Sequence, residues 1–129
     1  MRYLLLIYTA ETPDQPPEEA MNAELAEYDR FTQDLKARGV FHAGEALHPT
    51  SAATTVRIED DRTIATDGPF AETKEALGGF YMIDAADLDE AIVLAARIPA
   101  ARHGCVEVRP IFEFGAEMGA SVPEAVAAD

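Results

Sequence analysis

The sequence has no tryptophan, one cysteine (Cys105) and two serines, Ser51 and Ser121. A single cysteine excludes an internal disulfide framework and any CxxC redox or zinc motif, which points to a reducing compartment, the cytoplasm. With so few serines there is no GxSxG elbow of a serine hydrolase, and neither a Walker loop nor a dinucleotide fingerprint is present; Gly78-Gly79 lies inside a strand pattern and does not precede a helix. The sequence therefore implies no cofactor. Positive charge is also scarce. Ten Lys+Arg stand against 24 Asp+Glu, a net charge of −14, which is the wrong sign for a phosphate backbone or an anionic membrane. No run approaches the roughly 20 apolar residues that cross a bilayer. The N-terminal stretch Arg2 to Tyr8 is too short for an export signal and is followed at once by polar, Pro-rich sequence, so it reads as a strand.

What is present suits one compact α+β domain. The chain has 129 residues, 48% of them hydrophobic, enough to bury about two-thirds of the surface its unfolded form exposes. Residues 2 to 9 are apolar on both faces and predict an interior strand. Pro16-Pro17-Glu18-Glu19 suits a helix start, with proline in the first turn and carboxylates at the positive end of the dipole. The helix is expected from about 18 to 38. Met21, Leu25, Tyr28, Phe31 or Thr32, and Leu35 form its inward stripe, and Gly39 stops it. Val40 to Leu47 follows as a strand, then a hairpin of Thr54 to Glu59 and Arg62 to Thr66 around Asp60-Asp61. Asp67-Gly68-Pro69-Phe70 reverses the chain. Leu77 to Asp84 predicts a buried strand. A second helix begins at Asp87, with Glu90 completing the cap, and Leu88, Ala91, Ile92 and Ala95 are expected to face inward before Pro99 ends it. Cys105 to Ile111 is the last strand, and residues 113 to 129 read as a tail outside the domain of residues 1 to 112.

This order predicts a ferredoxin-like βαββαβ domain with an extra β-hairpin, an antiparallel sheet and both helices on one face. The other face would expose apolar side chains. A homodimer with two sheets stacked is the simplest remedy.

Thr54-Thr55-Val56-Arg57, the block Thr66-Asp67-Gly68-Pro69-Phe70-Ala71-Glu72-Thr73-Lys74-Glu75-Ala76-Leu77-Gly78-Gly79-Phe80-Tyr81, and Val106-Glu107-Val108-Arg109-Pro110 together resemble the YCII-related family in its DGPF-domain branch. The resemblance covers residues 2 to 112 and implies a ferredoxin-like fold that forms dimeric α/β barrels. It further implies a proton-transfer pair, a histidine on the first helix with an aspartate on a later loop, and one relative looks like a dehydrochlorinase acting on an aromatic substrate. Here the helix position holds Tyr28, and Asp67 matches the loop carboxylate. Genes of this branch tend to adjoin those of alternative sigma factors, which implies a regulatory partnership.

Individual residues carry two readings each. Asp67 suits an Asx-type turn, or a general base or acceptor at a pocket mouth. Glu72, Lys74 and Glu75 suit a solvated loop, yet Lys74 could hold an anion; Arg57 and Arg109 could fork a carboxylate or pair with Glu59 and Glu107. Tyr3, Tyr8, Phe80 and Tyr81 suit a core or a stacking surface for an aromatic ligand between helix and sheet. His42 is expected beside Tyr28 as a proton carrier, because imidazole as a group titrates near neutrality. His103 and Cys105 are close in sequence, but two ligands without a third make no metal site.

Two functions remain open at this level. In the first, a small anionic or aromatic molecule binds between the sheet and the first helix, for cofactor-free proton transfer or elimination, with catalytic Asp67, Tyr28 and His42 and with Arg57, Glu72, Lys74 and Tyr81 holding the ligand. In the second, the acidic helix face engages a basic protein such as a sigma factor, since residues 11 to 34 carry eight acids and one base.

Overall fold

A computed structural model describes residues 1–12 and 16–117. Its elements follow the expected order: β1 (Arg2–Thr9), α1 (Glu18–Ala37), β2 (Phe41–Ala46), a 3-10 turn (Thr50–Ala52), β3 (Thr54–Glu59), β4 (Arg62–Asp67), β5 (Ala76–Asp84), α2 (Leu88–Ala95), a second 3-10 turn (Pro99–Arg102), β6 (Cys105–Pro110) and a short α3 (Phe114–Glu117). Of the expected tail, Phe114 to Glu117 is helical, and residues 118–129 lie outside the described residues. Among the described residues, no helix is long and apolar enough to cross a membrane.

Four strands form one antiparallel sheet in the order β2-β5-β1-β6. The two strands joined through α1 are therefore separated by β5, the split β-α-β arrangement of an α+β fold. β1 sits between two neighbours, as its unbroken apolar run demands. Its alternation divides the sheet into two faces. Tyr3, Leu5 and Ile7 are buried beneath the helices with Tyr81 and Ile83 of β5, whereas Leu4, Leu6, Phe80 and Met82 point the other way and are only half-buried. Phe31 and Leu35 of α1 and Ala91, Leu94 and Ala95 of α2 close the core from the helical side. Each fully buried Leu or Ile there contributes about 1.5–3 kcal/mol by leaving water.

Local signals explain most boundaries. The Asp87 carboxylate accepts the Glu90 amide at 2.9 Å, the N-cap the sequence predicts for α2. Gly39, at φ 72, takes the left-handed conformation that ends α1. Asp60 and Asp61, at φ 50 and 63, make the paired positive-φ turn that a right-twisted hairpin prefers.

Two expectations for the inward faces need correction. Leu88 and Ile92 are 49% and 48% exposed, and Leu94 takes their place in the core. The helix is turned about its axis so that its small residues, Ala91 and Ala95, meet the sheet. On α1 only Phe31 and Leu35 of the expected stripe are fully buried, Tyr28 is half-buried, and Leu25 is 62% exposed. The C-terminal half of the helix packs on the sheet, and the N-terminal half stands away from it.

Candidate functional site

The space beneath the raised half of α1 is a cavity of about 520 Å³, within the size range of small-molecule sites. Met21, Leu25 and Tyr28 descend into it from the helix. Ile7 of β1, Gly78 and Gly79 of β5 and Ala100 of the second 3-10 turn supply the floor and the far wall. The glycines make room. Gly78 falls where the β1–β5 register slips, and a Cβ placed on it would meet no atom within 4 Å. A Cβ on Gly79 would come within 2.9 Å of the Glu45 carbonyl oxygen, so close approach of β2 requires glycine there.

Four polar side chains share this otherwise apolar wall: Thr9 of β1, Glu24, Tyr28 and His103. Glu24 and Tyr28 are one helical turn apart on α1 and so lie on the same side. His103 follows the second 3-10 turn, and its Nε2 lies 3.1 Å from Glu24 Oε1. Because an ionised carboxylate only accepts, the Nε2–H donates and Nδ1 is left as the second nitrogen. Burial pushes the Tyr28 phenol above its usual range, and the nearby Glu24 carboxylate adds to the rise. A hydrogen bond from the Ala100 backbone amide acts in the opposite direction. Gly104 fixes the position of His103. A Cβ at residue 104 would overlap the Tyr8 carbonyl oxygen, so only glycine lets β6 start this close to β1.

The same turn tethers α1 a second time. Arg102 grips Glu27 with two bonds of 2.9 Å, which holds the Glu27 carboxyl below its ordinary range. Further along, Arg97 bonds Asp34 at 2.6 Å and stacks over the Phe31 ring at 5.0 Å. The acidic face expected to meet a basic partner thus has Glu24, Glu27 and Asp34 already engaged by cations or a histidine of this chain.

The residues expected to form one site are distributed over five places. Tyr28 lines the apolar cavity. Tyr81 is buried in the core, where it shares a 2.8 Å hydrogen bond with Thr32 and packs edge-on against Phe31. His42 does not stand beside Tyr28: with Phe41 turned to the core, the next residue points to the opposite face, and its Nε2 meets Asp84 at 2.8 Å. Asp67 and Arg57 sit exposed on the β3–β4 hairpin, a separate two-stranded sheet. The Asp67 carboxylate has no hydrogen bond or ion pair among the described residues, and Gly68, at φ 97, makes the turn through its own backbone. Glu72 and Lys74 line a second, polar cavity of about 410 Å³, beside Thr50. There Glu11 accepts the Thr50 amide at 2.8 Å and also its hydroxyl. Arg109 pairs at 2.7 Å with Glu107, two residues away on the same face of β6, an ion pair within the strand in place of a ligand role.

In the sequence His103 suggests only a metal ligand, and Glu24 is one acid among several on α1. The available signal was a carboxylate on the apolar stripe of α1, one turn before Tyr28.

The sequence pattern of the YCII-related domain matches residues 1–115, nearly all of the described chain. The chain belongs to the YCII-related family. It is similar to an uncharacterized protein of Rhizobium meliloti (strain 1021), with 42% identity over 120 residues that span 86% of this chain and 92% of that one. A solved structure is also similar, that of 5-chloro-2-hydroxyhydroquinone dehydrochlorinase from Burkholderia phenoliruptrix AC1100 in complex with 2,5-dihydroxybenzoquinone. It has a TM-score of 0.47 and 16% identity, and covers 88% of this chain and 95% of that chain. For this YCII-related chain the geometry of its own cavity carries the functional reading.

Proposed function

We propose that this YCII-related protein binds a small, predominantly apolar molecule in the cavity between the N-terminal half of α1 and the sheet. The observation that carries the reading is the detachment of that half-helix. Met21 and Leu25 keep an apolar stripe that the sheet does not cover, above a floor opened by Gly78. Apolar walls with a few convergent polar groups are the usual composition of a ligand site. A large anion fits less well, since among the described residues no lysine or arginine lines this cavity. Native mass spectrometry of the untagged protein drawn from its own host tests the reading, with Gly78→Leu as the filled-cavity control. Retention of a small molecule by the natural chain and its loss from the variant is expected; equal retention by both would overturn the assignment.

We also propose that a second copy covers the opposite sheet face. Leu4, Leu6, Phe80 and Met82 form a half-exposed apolar centre there, with His42–Asp84 and Arg109–Glu107 pairs at its rim. Burial of that centre would favour association by the ordinary hydrophobic term. Sedimentation at micromolar concentration should give a dimer, and Leu6→Glu should give a monomer; a monomeric natural chain would overturn the pairing.

A further inference from the structure

We infer that the cavity beneath α1 is a proton-transfer site, in which His103 removes a proton from a neutral carbonyl compound while Tyr28 donates a hydrogen bond to the oxygen that gains charge. The inference deepens the binding proposal above and rests on it.

The polar groups divide the roles between them. Glu24 accepts from His103 Nε2–H, so in the neutral imidazole Nδ1 is the basic nitrogen, and the carboxylate stabilises the imidazolium that forms. Glu24 is thus a positioning residue. Tyr28 stays protonated at neutral pH because burial and Glu24 both resist its ionisation, and as it lines the cavity without an acceptor for its hydroxyl hydrogen among the described residues, that hydrogen is available to a ligand. A donor placed where negative charge develops is the arrangement that lowers the barrier to enolisation.

The same groups define the substrate class. With Glu24 in the wall and no lysine or arginine lining the cavity among the described residues, an anion is disfavoured. Apolar walls formed by Ile7, Met21 and Leu25 call for a hydrocarbon body. The substrate is therefore a neutral, mainly apolar ketone or enone with a hydrogen on the carbon next to its carbonyl. The step balances without a co-reactant. The C–H proton passes to His103 Nδ1, the C–H electron pair becomes a carbon–carbon double bond, and the carbonyl π pair moves to oxygen, which accepts the Tyr28 hydrogen bond. Return of the proton from the imidazolium to the same or a conjugated carbon regenerates the base and yields the original or the isomerised ketone.

The test is deuterium exchange at the α-carbon of β-tetralone, a neutral bicyclic ketone, followed by NMR in deuterated buffer, with ligand line-broadening recording binding in the same samples. The natural chain should accelerate exchange beyond free imidazole at equal concentration. His103→Gln, at an exposed position that leaves the fold intact, should lose about 100-fold or more while binding persists, the scale of a lost general base. Tyr28→Phe should lose about 100-fold. Glu24→Gln should lower kcat with KM unchanged, and Glu24→Asp should restore part of it. Binding of the ketone without accelerated exchange, or exchange that survives His103→Gln, would overturn the proton-transfer inference and leave the binding proposal standing. Failure of the natural chain to bind the ketone, with Gly78→Leu indistinguishable from it, would overturn both.

Discussion

Glu24 and His103, 79 residues apart in sequence, meet at 3.1 Å across the mouth of the α1 cavity. One comes from a helix and the other from the turn before β6, so the contact exists only when the helical layer has docked on the sheet. Both side chains are partly exposed, at 34% and 57%, so the pair adds little to stability and its value is positional.

Filling the cavity should separate binding from folding. Gly78→Leu places a side chain where nothing stands within 4 Å, so its melting temperature should stay within a few degrees of the natural chain. Ligand-induced thermal stabilisation should vanish. A variant that fails to fold would mean the space is smaller than the backbone indicates.

Gly104 should behave in the opposite way. A methyl group there collides with the Tyr8 carbonyl, which is backbone in the central strand and cannot move aside. Gly104→Ala is expected to destabilise by about 1–3 kcal/mol, as overpacking does, measured by urea unfolding with Gly78→Ala as the near-neutral reference.

Asp67→Asn discriminates between the two sites that the sequence left merged. Because Asp67 lies on the separate hairpin and its carboxylate makes no bond among the described residues, the substitution should change neither the melting temperature nor occupancy of the α1 cavity. Loss of cavity binding in this variant would return the aspartate to the site.

Stability should also fall at the alkaline end. The Tyr28 and Tyr81 phenols are both raised by burial above the usual value near ~10. A folded-state pKa above the unfolded one means their contribution is fully present below about pH 10 and is lost as pH rises through the raised values. Phenolate absorbance should show Tyr28 and Tyr81 titrating above the usual phenol range, and unfolding should accompany their ionisation. The acid side has the reverse sign: Glu27 and Asp34 are lowered by the hydrogen bonds from Arg102 and Arg97, so their contribution is present above the ordinary carboxylate range and is lost as pH falls through the lowered values.

The framework was legible because it depends on local chemistry. Alternation in β1, the Asp87–Glu90 cap, Gly39 and the Asp60–Asp61 turn each act within a few residues, and each stands where the sequence places it. Which way α2 rolls depends on what opposes it: Ala91 and Ala95 permit close approach, and Leu88 and Ile92, equally apolar in sequence, are left outside. The site was less legible for the same reason. Asp67, Lys74 and Arg57 look related because they are near one another along the chain, whereas Glu24 and His103 are joined only by the packing of α1 over the sheet. His42 shows how small the difference can be. A single residue of register separates it from Phe41, and that turns it to the opposite face of the sheet.

The β3–β4 hairpin shares no ladder with the main sheet, and its tip is two aspartates in a turn open to solvent. It offers a natural insertion point. A fluorescent label or short peptide epitope placed between Asp60 and Asp61 would sit outside the folding unit that holds Glu24 and His103. The protein could then be followed in cells with its cavity and its sheet face both unencumbered.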